Sequence, residues 1–216
     1  MLFLVGRHGS GKSTIGAALA DILVGEIRGP DVAVAALEAS ITGHMVWTTL
    51  HIPDPFVFVE RLELMDRIRL DRKVFSDHKI VRGVIAQRLL PKLCQHCSIP
   101  LSNAASAISE RIVSALQTWG NLTKVRVKGP GCSHCSHDGT SGRFTIAEVV
   151  VTDAKLMKDF IEHGSETARA NYRARPEADP SMLESAISYV MSGLVDPRAV
   201  EKKVDLIEIK SQERKQ

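Results

Sequence analysis

No run of eighteen apolar residues occurs in this 216-residue chain, so nothing in it has the length to cross a bilayer as a helix. A secretory leader is lacking too, because Arg7, His8 and Lys12 fall where its apolar region would have to continue. Charge of one sign is scarce: 28 Lys plus Arg stand against 25 Asp plus Glu, a net +3. No clustered basic face stands out, and a nucleic-acid partner is not expected. Internal repeats and low-complexity segments are absent, and the stretch 201–216 mixes both signs like a solvated face or frayed tail. What remains is a globular composition, 44% hydrophobic and 25% charged, with an expected cytoplasmic location. Four cysteines in that compartment should stay reduced, so metal ligation outranks disulfides.

The chain is long enough for one or two domains with a real core. Gly6 to Ser13 reads GRHGSGKS, a complete GxxxxGK[ST] phosphate loop between the apolar run Leu2 to Val5 and the helix-forming Thr14 to Ala20. Glycines let such a chain turn tightly, so that backbone N–H groups form a concave cradle for phosphates at a helix N-terminus. Gly6, Gly9, Ser10, Gly11, Lys12, Ser13 and Thr14 are therefore candidate ATP-binding residues. Lys12 would reach the β- and γ-phosphates and Ser13 would hold Mg²⁺. The plainer reading is a Gly/Ser turn with a stray lysine.

Cys94-Gln95-His96-Cys97 and Cys132-Ser133-His134-Cys135 form two CxxC knuckles with no cysteine left over. Two such turns close a tetrahedron of thiolates around Zn²⁺ at about 2.3 Å, and four thiolates leave no open position, so the metal would be structural. Redox chemistry is the rival reading. His96, His134 and His137 are alternative ligands, and solvent-facing histidines the blander account of them.

Composition separates three blocks: residues 1–90 with the phosphate loop, 91–151 with the cysteines, and 152–216 with helical periodicity. The pattern predicts a helix over Asp31 to Ala39, a buried strand over Met45 to Leu50, and helical spacing of apolar residues from Phe56 to Leu70. It predicts an inserted helix over Ala104 to Trp119 and a strand over Phe144 to Val151. Helices follow at Asp153 to His163, at Met182 to Met191 and from Pro197, with Ala168 to Pro180 as an Arg/Pro-rich connector.

From Gly25 to about Asp205 the chain resembles the traffic ATPases of type II secretion and type IV pilus assembly. The matching residues are GEIR at Gly25 to Arg28, TGHMVWTTLH at Thr42 to His51, Gln87-Arg88-Leu89 leading into Pro91-Lys92-Leu93-Cys94, and GCSHCSHDGTSGRFTIAE at Gly131 to Glu148. The resemblance implies an α/β fold, an incomplete RecA-like P-loop NTPase core (1–90) with a four-cysteine zinc-binding subdomain (91–151) and a helical C-terminal region (152–216). It implies that Glu26, at the end of a Walker B strand, polarises the attacking water. His44 and His51 match histidines that meet the γ-phosphate, and Arg88 an arginine near the nucleotide or a subunit interface. A bland reading makes Arg88 a helix surface charge. Cys94, Cys97, Cys132 and Cys135 match the family's zinc ligands. The implied activity is ATP hydrolysis in a hexamer, peripheral to the cytoplasmic face of the inner membrane, driving a platform protein that assembles pilin or pseudopilin subunits.

The chain departs from that family between Ser13 and Gly25, where several dozen residues with an acidic box are absent, and the domain that precedes the phosphate loop is expected to be absent as well. A parallel crossover needs a dozen residues or more. Ile15, Leu19, Ile22 and Leu23 recur at helical spacing, so the pattern favours one helix from Ser13 to Val24 with Glu26 on a loop. The opening MLFLVGRHGSGKSTIGAALAD is equally similar to small P-loop kinases. Two alternatives stay open beside the traffic ATPase: a non-catalytic remnant acting as a zinc-clamped nucleotide- or partner-binding module, and a small-molecule kinase.

Overall fold

The computed structural model describes residues 1–6, 12, 21–104 and 107–210. They form two compact units, one from 1–87 and 147–179, the other from 88–146 and 180–216. Strands β1 (Leu2–Gly6), β2 (Ile22–Glu26), β3 (Val46–Leu50), β4 (Gly83–Leu93) and β7 (Thr140–Val151) make one sheet in the order β2-β3-β1-β4-β7. β4 and β7 each run on from one unit into the other.

In the first unit β1 pairs parallel with β3 (Phe3 opposite Thr48, Val5 opposite Leu50) and with β4 (Gly6 opposite Gln87). Strands covered on both faces must be apolar along their whole length, and every residue of β3 is buried, as are Phe3 to Gly6 of β1. The buried Thr48 hydroxyl donates to the Gly25 carbonyl at 3.1 Å. At the other side of the sheet Thr152 N–H donates to the Arg82 carbonyl and Gly83 lies against the Val150 carbonyl, so β7 runs against β4 and the sheet is mixed.

β2 overturns the single helix from Ser13 to Val24. Ile22, Leu23 and Val24 pair parallel with Val46, Trp47 and Thr48, and a ladder of β-branched and aromatic neighbours outweighs a helical repeat over the same few residues. The register slips between Val24 and Glu26, a bulge that brings Glu26 opposite Thr49.

Helix α1 (Pro30–Ile41) starts with Pro at its first position, slightly outside the predicted limits. The expected helix to Leu70 stops early: α2 is Phe58–Glu63, and Leu64 and Ile68 face solvent. There Asp66 Oδ1 accepts from the N–H groups of Ile68 and Arg69 and offers the backbone a turn instead. α3 (Arg72–Phe75) follows. Arg72 grips Glu63 with Nε at 2.9 Å and Nη2 at 2.5 Å. Beyond β7, α5 (Ala154–Glu162) is capped by Asp153, and α6 (Gly164–Arg173) occupies part of the stretch expected to be a connector. Gly164 at φ +80° makes the corner between them. The core of this unit is aromatic: Phe58 packs on Phe3 (5.3 Å) and Phe160 (5.4 Å), and Phe56 on Tyr172 (5.7 Å). Arg173 lies over the Phe56 ring and holds the buried Glu148 carboxylate with both ends of its fork.

The second unit contains the short antiparallel pair β5 (Ile99–Pro100) and β6 (Arg126–Val127), with Ile99 opposite Val127. Its helices are α4 (Glu110–Gln117), shorter than the expected insertion, α7 (Met182–Met191), which matches the expectation, and α8 (Pro197–Lys203). A capping box between Ser181 and Glu184 starts α7. Gly193, at φ +74°, turns the chain where a Cβ would overlap the Lys124 carbonyl. Asp196 caps α8 and also accepts the Lys128 N–H at 2.7 Å.

Phe56→Ala, which opens the aromatic core of the first unit, is expected to cost ~3–5 kcal/mol, read as a lower urea midpoint with the zinc content unchanged.

Candidate nucleotide site and metal centre

β1 delivers the chain to Gly6, whose φ of +145° only glycine takes without strain. Of the other predicted nucleotide-binding residues, Lys12 is described; Gly9, Ser10, Gly11, Ser13 and Thr14 lie outside the described residues. Lys12 is 6% exposed and its ammonium donates to the Gly6 carbonyl at 3.0 Å. That contact holds a buried positive charge at the end of β1.

Parallel pairing brings two more predicted residues to the same side of the sheet. Glu26 ends β2, and His51 directly follows β3, which ends opposite Val5 of β1. His51 Nε2 stands 3.4 Å from Glu26 Oε1, and Arg28 donates to Glu26 Oε2 at 2.8 Å. The Arg28 hydrogen bond, aided by the charges of His51, Arg28 and Lys12 and opposed by partial desolvation, holds the Glu26 carboxyl below the usual carboxylate range. Lys12, Glu26 and His51 thus share one electrostatic neighbourhood, with Glu26 ionised. Sequence reasoning missed Arg28 as a partner, although residues two apart on an extended chain point the same way.

His44 lies elsewhere. The five extended residues of β3, about 16 Å, lie between it and His51, so His44 stands at the other end of that strand. Its Nδ1 is 3.2 Å from the Thr42 hydroxyl and 3.3 Å from the Ala39 carbonyl at the end of α1. Arg88 is on β4 and 6% exposed, which corrects the reading of a helix surface charge. The segment GVIAQRLLPKL takes the extended form because its first half pairs with β1.

The second unit brings all four cysteines together. Their Sγ atoms lie within 4.8 Å of one another, with Cys94–Cys132, Cys97–Cys135 and Cys132–Cys135 each at 3.8 Å. A regular tetrahedron with metal–sulfur bonds of about 2.3 Å has edges of about 3.8 Å. The donor set therefore fits Zn²⁺, and its four thiolates would hold the ion with no position left for a reacting group. Cys132 N–H and Gly139 N–H each donate to Cys135 Sγ at 3.2 Å. Burial pushes the Cys135 thiol up, yet these donors and the neighbouring thiols of Cys97 and Cys132 outweigh it and hold it down at about 6. Cys97 is pushed up to about 12, first by burial and then by the other three thiols.

The knuckles depend on tight backbone. Ser136 and His137 adopt positive φ, at 49° and 62°. A Cβ on Gly129 would overlap the Cys97 carbonyl oxygen, and one on Gly131 the carbonyl of His137. Gly129 was not singled out in the sequence, where only its place in Lys128-Gly129-Pro130-Gly131 next to Cys132 marks it. His96 and His134 are exposed and stack on each other at 3.8 Å, outside the cluster.

The family model described as type II/IV secretion system protein matches residues 20–202. The chain is 29% identical over 173 residues to the type IV pilus assembly ATPase PilB of Thermus thermophilus, covering 80% of this chain and 18% of that protein. It is 32% identical over 174 residues to the putative type II secretion system protein E of Escherichia coli, covering 80% of this chain and 32% of that protein. It thus spans roughly a fifth to a third of these relatives' lengths. Among solved structures, the Legionella pneumophila ATPase DotB superposes with TM-score 0.58 at 18% identity, covering 93% of this chain and 58% of that one. The pilus retraction motor PilT with bound ADP gives 0.54 at 16% identity, covering 93% and 52%. At these identities the structural likeness is one of fold.

Protein purified under reducing conditions is expected to carry one zinc per chain by metal analysis, and a chelator to lower its thermal midpoint. Gly129→Ala, by displacing the Cys97 carbonyl, should lose the metal; a fully zinc-loaded Gly129→Ala protein would contradict the close approach.

Proposed function

Because this chain belongs to the type II/IV secretion system protein family, we propose that it binds ATP at the end of β1 and hydrolyses it as part of a pilus-assembly or type II secretion motor. The observation that carries this reading is the meeting of an ionised Glu26 with His51 and the charge of Lys12 at the ends of the parallel strands β1, β2 and β3. Phosphoryl transfer to water needs little covalent chemistry from the protein; it needs phosphates held still, charge balanced and a water oriented in line.

In this proposal Lys12 exchanges the Gly6 carbonyl for the β- and γ-phosphates, and the remaining residues of the loop, Gly9, Ser10, Gly11, Ser13 and Thr14, cradle them. Ser13 would hold Mg²⁺, whose charge would offset that of the phosphates. Glu26 accepts a hydrogen bond from the attacking water and aims it. Arg28 and His51 fix the carboxylate from two sides, and the imidazole can also donate to a γ-phosphate oxygen. His44 and Arg88 take their proposed roles from the family resemblance alone, His44 as a histidine that meets the γ-phosphate and Arg88 as an arginine near the nucleotide or a subunit interface. The four-cysteine cluster is a structural clamp.

The assembly proposed is a homohexameric ring at the cytoplasmic face of the inner membrane, acting on a platform protein. No helix among the described residues is long and apolar enough to cross a membrane, which accords with peripheral attachment. The short stretch between Lys12 and Glu26 supports a second reading, a zinc-clamped module that binds nucleotide or ring partners without turnover.

ATPase assays with parallel nucleotide-binding measurements separate the two. Lys12→Ala is expected to lose nucleotide affinity. Glu26→Gln is expected to keep affinity and lower turnover by roughly 10²-fold or more. Binding by the parent protein with no turnover would remove the first reading and leave the second.

A further inference from the structure

The second unit contains a cleft of about 700 Å³ lined by the end of β4, the start of β7 and α8. Its apolar lining comes from Pro91, Leu93 and Ala199. Its charged lining is one-sided: Lys128, Arg143, Arg198, Lys202 and Lys203 stand against only Asp138 and Asp196. That excess equals the net +3 of the whole chain. Low-dielectric walls strengthen the field of such a one-sided concave lining.

Both carboxylates are already engaged. Asp196 takes Arg198 Nε at 2.9 Å and Nη2 at 2.6 Å, together with the N–H groups of Lys128 and Arg198. Asp138 accepts the Thr140 hydroxyl and stands 3.5 Å from Lys128 Nζ. The side chains of Arg143, Lys202 and Lys203 have no hydrogen-bond or ion-pair partner among the described residues. Two lysines in the last turn of a helix are ordinary, since they offset its dipole. That account does not reach Arg143, which comes from β7 and lines the same cleft.

The volume falls within the range of small-molecule sites. A guanidinium fork such as that of Arg143 matches phosphate oxygens in pairs, and lysines in the same lining add point charge. An extended acidic peptide would spread its carboxylates along the chain and onto alternate faces, whereas a polyphosphate concentrates its negative charge on a few adjacent groups. We propose that this cleft binds a small ligand bearing two or more phosphate groups beside an apolar moiety, at a site separate from the phosphate loop. The ligand is either a soluble phosphate ester or the headgroup of a phosphorylated lipid.

The test is calorimetry of the full chain with inorganic tripolyphosphate at low salt, in a Lys12→Ala background so that the phosphate loop contributes little. Saturable binding of one equivalent is expected. Replacing Arg143, Lys202 and Lys203 together by Gln should weaken it at least ~10-fold, and Lys202→Gln with Lys203→Gln alone should weaken it less. Unchanged zinc content and thermal midpoint check that each variant is folded. Co-sedimentation with phosphatidylcholine vesicles, with and without a phosphatidylinositol phosphate, distinguishes the sources. Vesicle binding lost with the triple substitution assigns a lipid headgroup; tripolyphosphate binding lost with it, in the absence of vesicle binding, assigns a soluble ester. No saturable binding of either probe, binding untouched by the triple substitution, or polyglutamate bound as tightly as tripolyphosphate overturns the proposal.

Discussion

Parallel pairing of β3 with β1 on one side and β2 on the other is the constraint from which the first unit follows. Parallel strands end on the same side of a sheet, so the residues that follow them converge whatever their distance in sequence. Gly6, Glu26 and His51 come from three separate stretches of chain and meet because Val5 lies opposite Leu50 and Glu26 opposite Thr49. A slip of one residue in either ladder would turn the side chains to the other face. The register is fixed by burial, since β3 has no exposed position to offer and the hydroxyl of its central residue, Thr48, is satisfied by the Gly25 carbonyl at the bulge.

The same bulge accounts for the chemistry of Glu26. Without it, strict alternation would carry the carboxylate past its place opposite Thr49. With it, the carboxylate meets His51 across the strand pair and Arg28 along its own chain. The Arg28 hydrogen bond and the charges of His51 and Lys12 then keep it ionised, which is the state that accepts a hydrogen bond from water.

The second unit is organised by different physics. Its strands β5 and β6 have two residues each, too little ladder to stand by themselves. Four sulfurs at tetrahedral separations, backbone N–H groups aimed at Cys135, and glycines where a Cβ would collide with the facing carbonyl shape the knuckles beside that short pair. A metal held by four thiolates contributes folding free energy on the order of 10 kcal/mol in small domains. The cationic cleft lies beside this clamp in sequence, since Lys128 and Asp138 flank the second knuckle.

The residues by themselves determined the pieces whose physics is local: the phosphate-loop pattern, the CxxC spacing that sets two sulfurs on one turn, the buried strand at Val46 to Leu50, and helices such as Met182 to Met191 whose caps and periodicity agree. The family too was legible, because several rare motifs occur in one order. What the chain did not disclose depends on partners far away in sequence. Ile22 to Val24 fit a helix as well as a strand until β3 was there to pair with them. Leu64 and Ile68 continued an apolar repeat, yet Asp66 ended the helix before they could be buried. His44 and His51 read as one motif, but an extended strand holds its two ends apart, and only His51 reaches Glu26. Local propensity and spacing are written in consecutive residues; register, burial and the convergence of strand ends are settled only when the sheet closes.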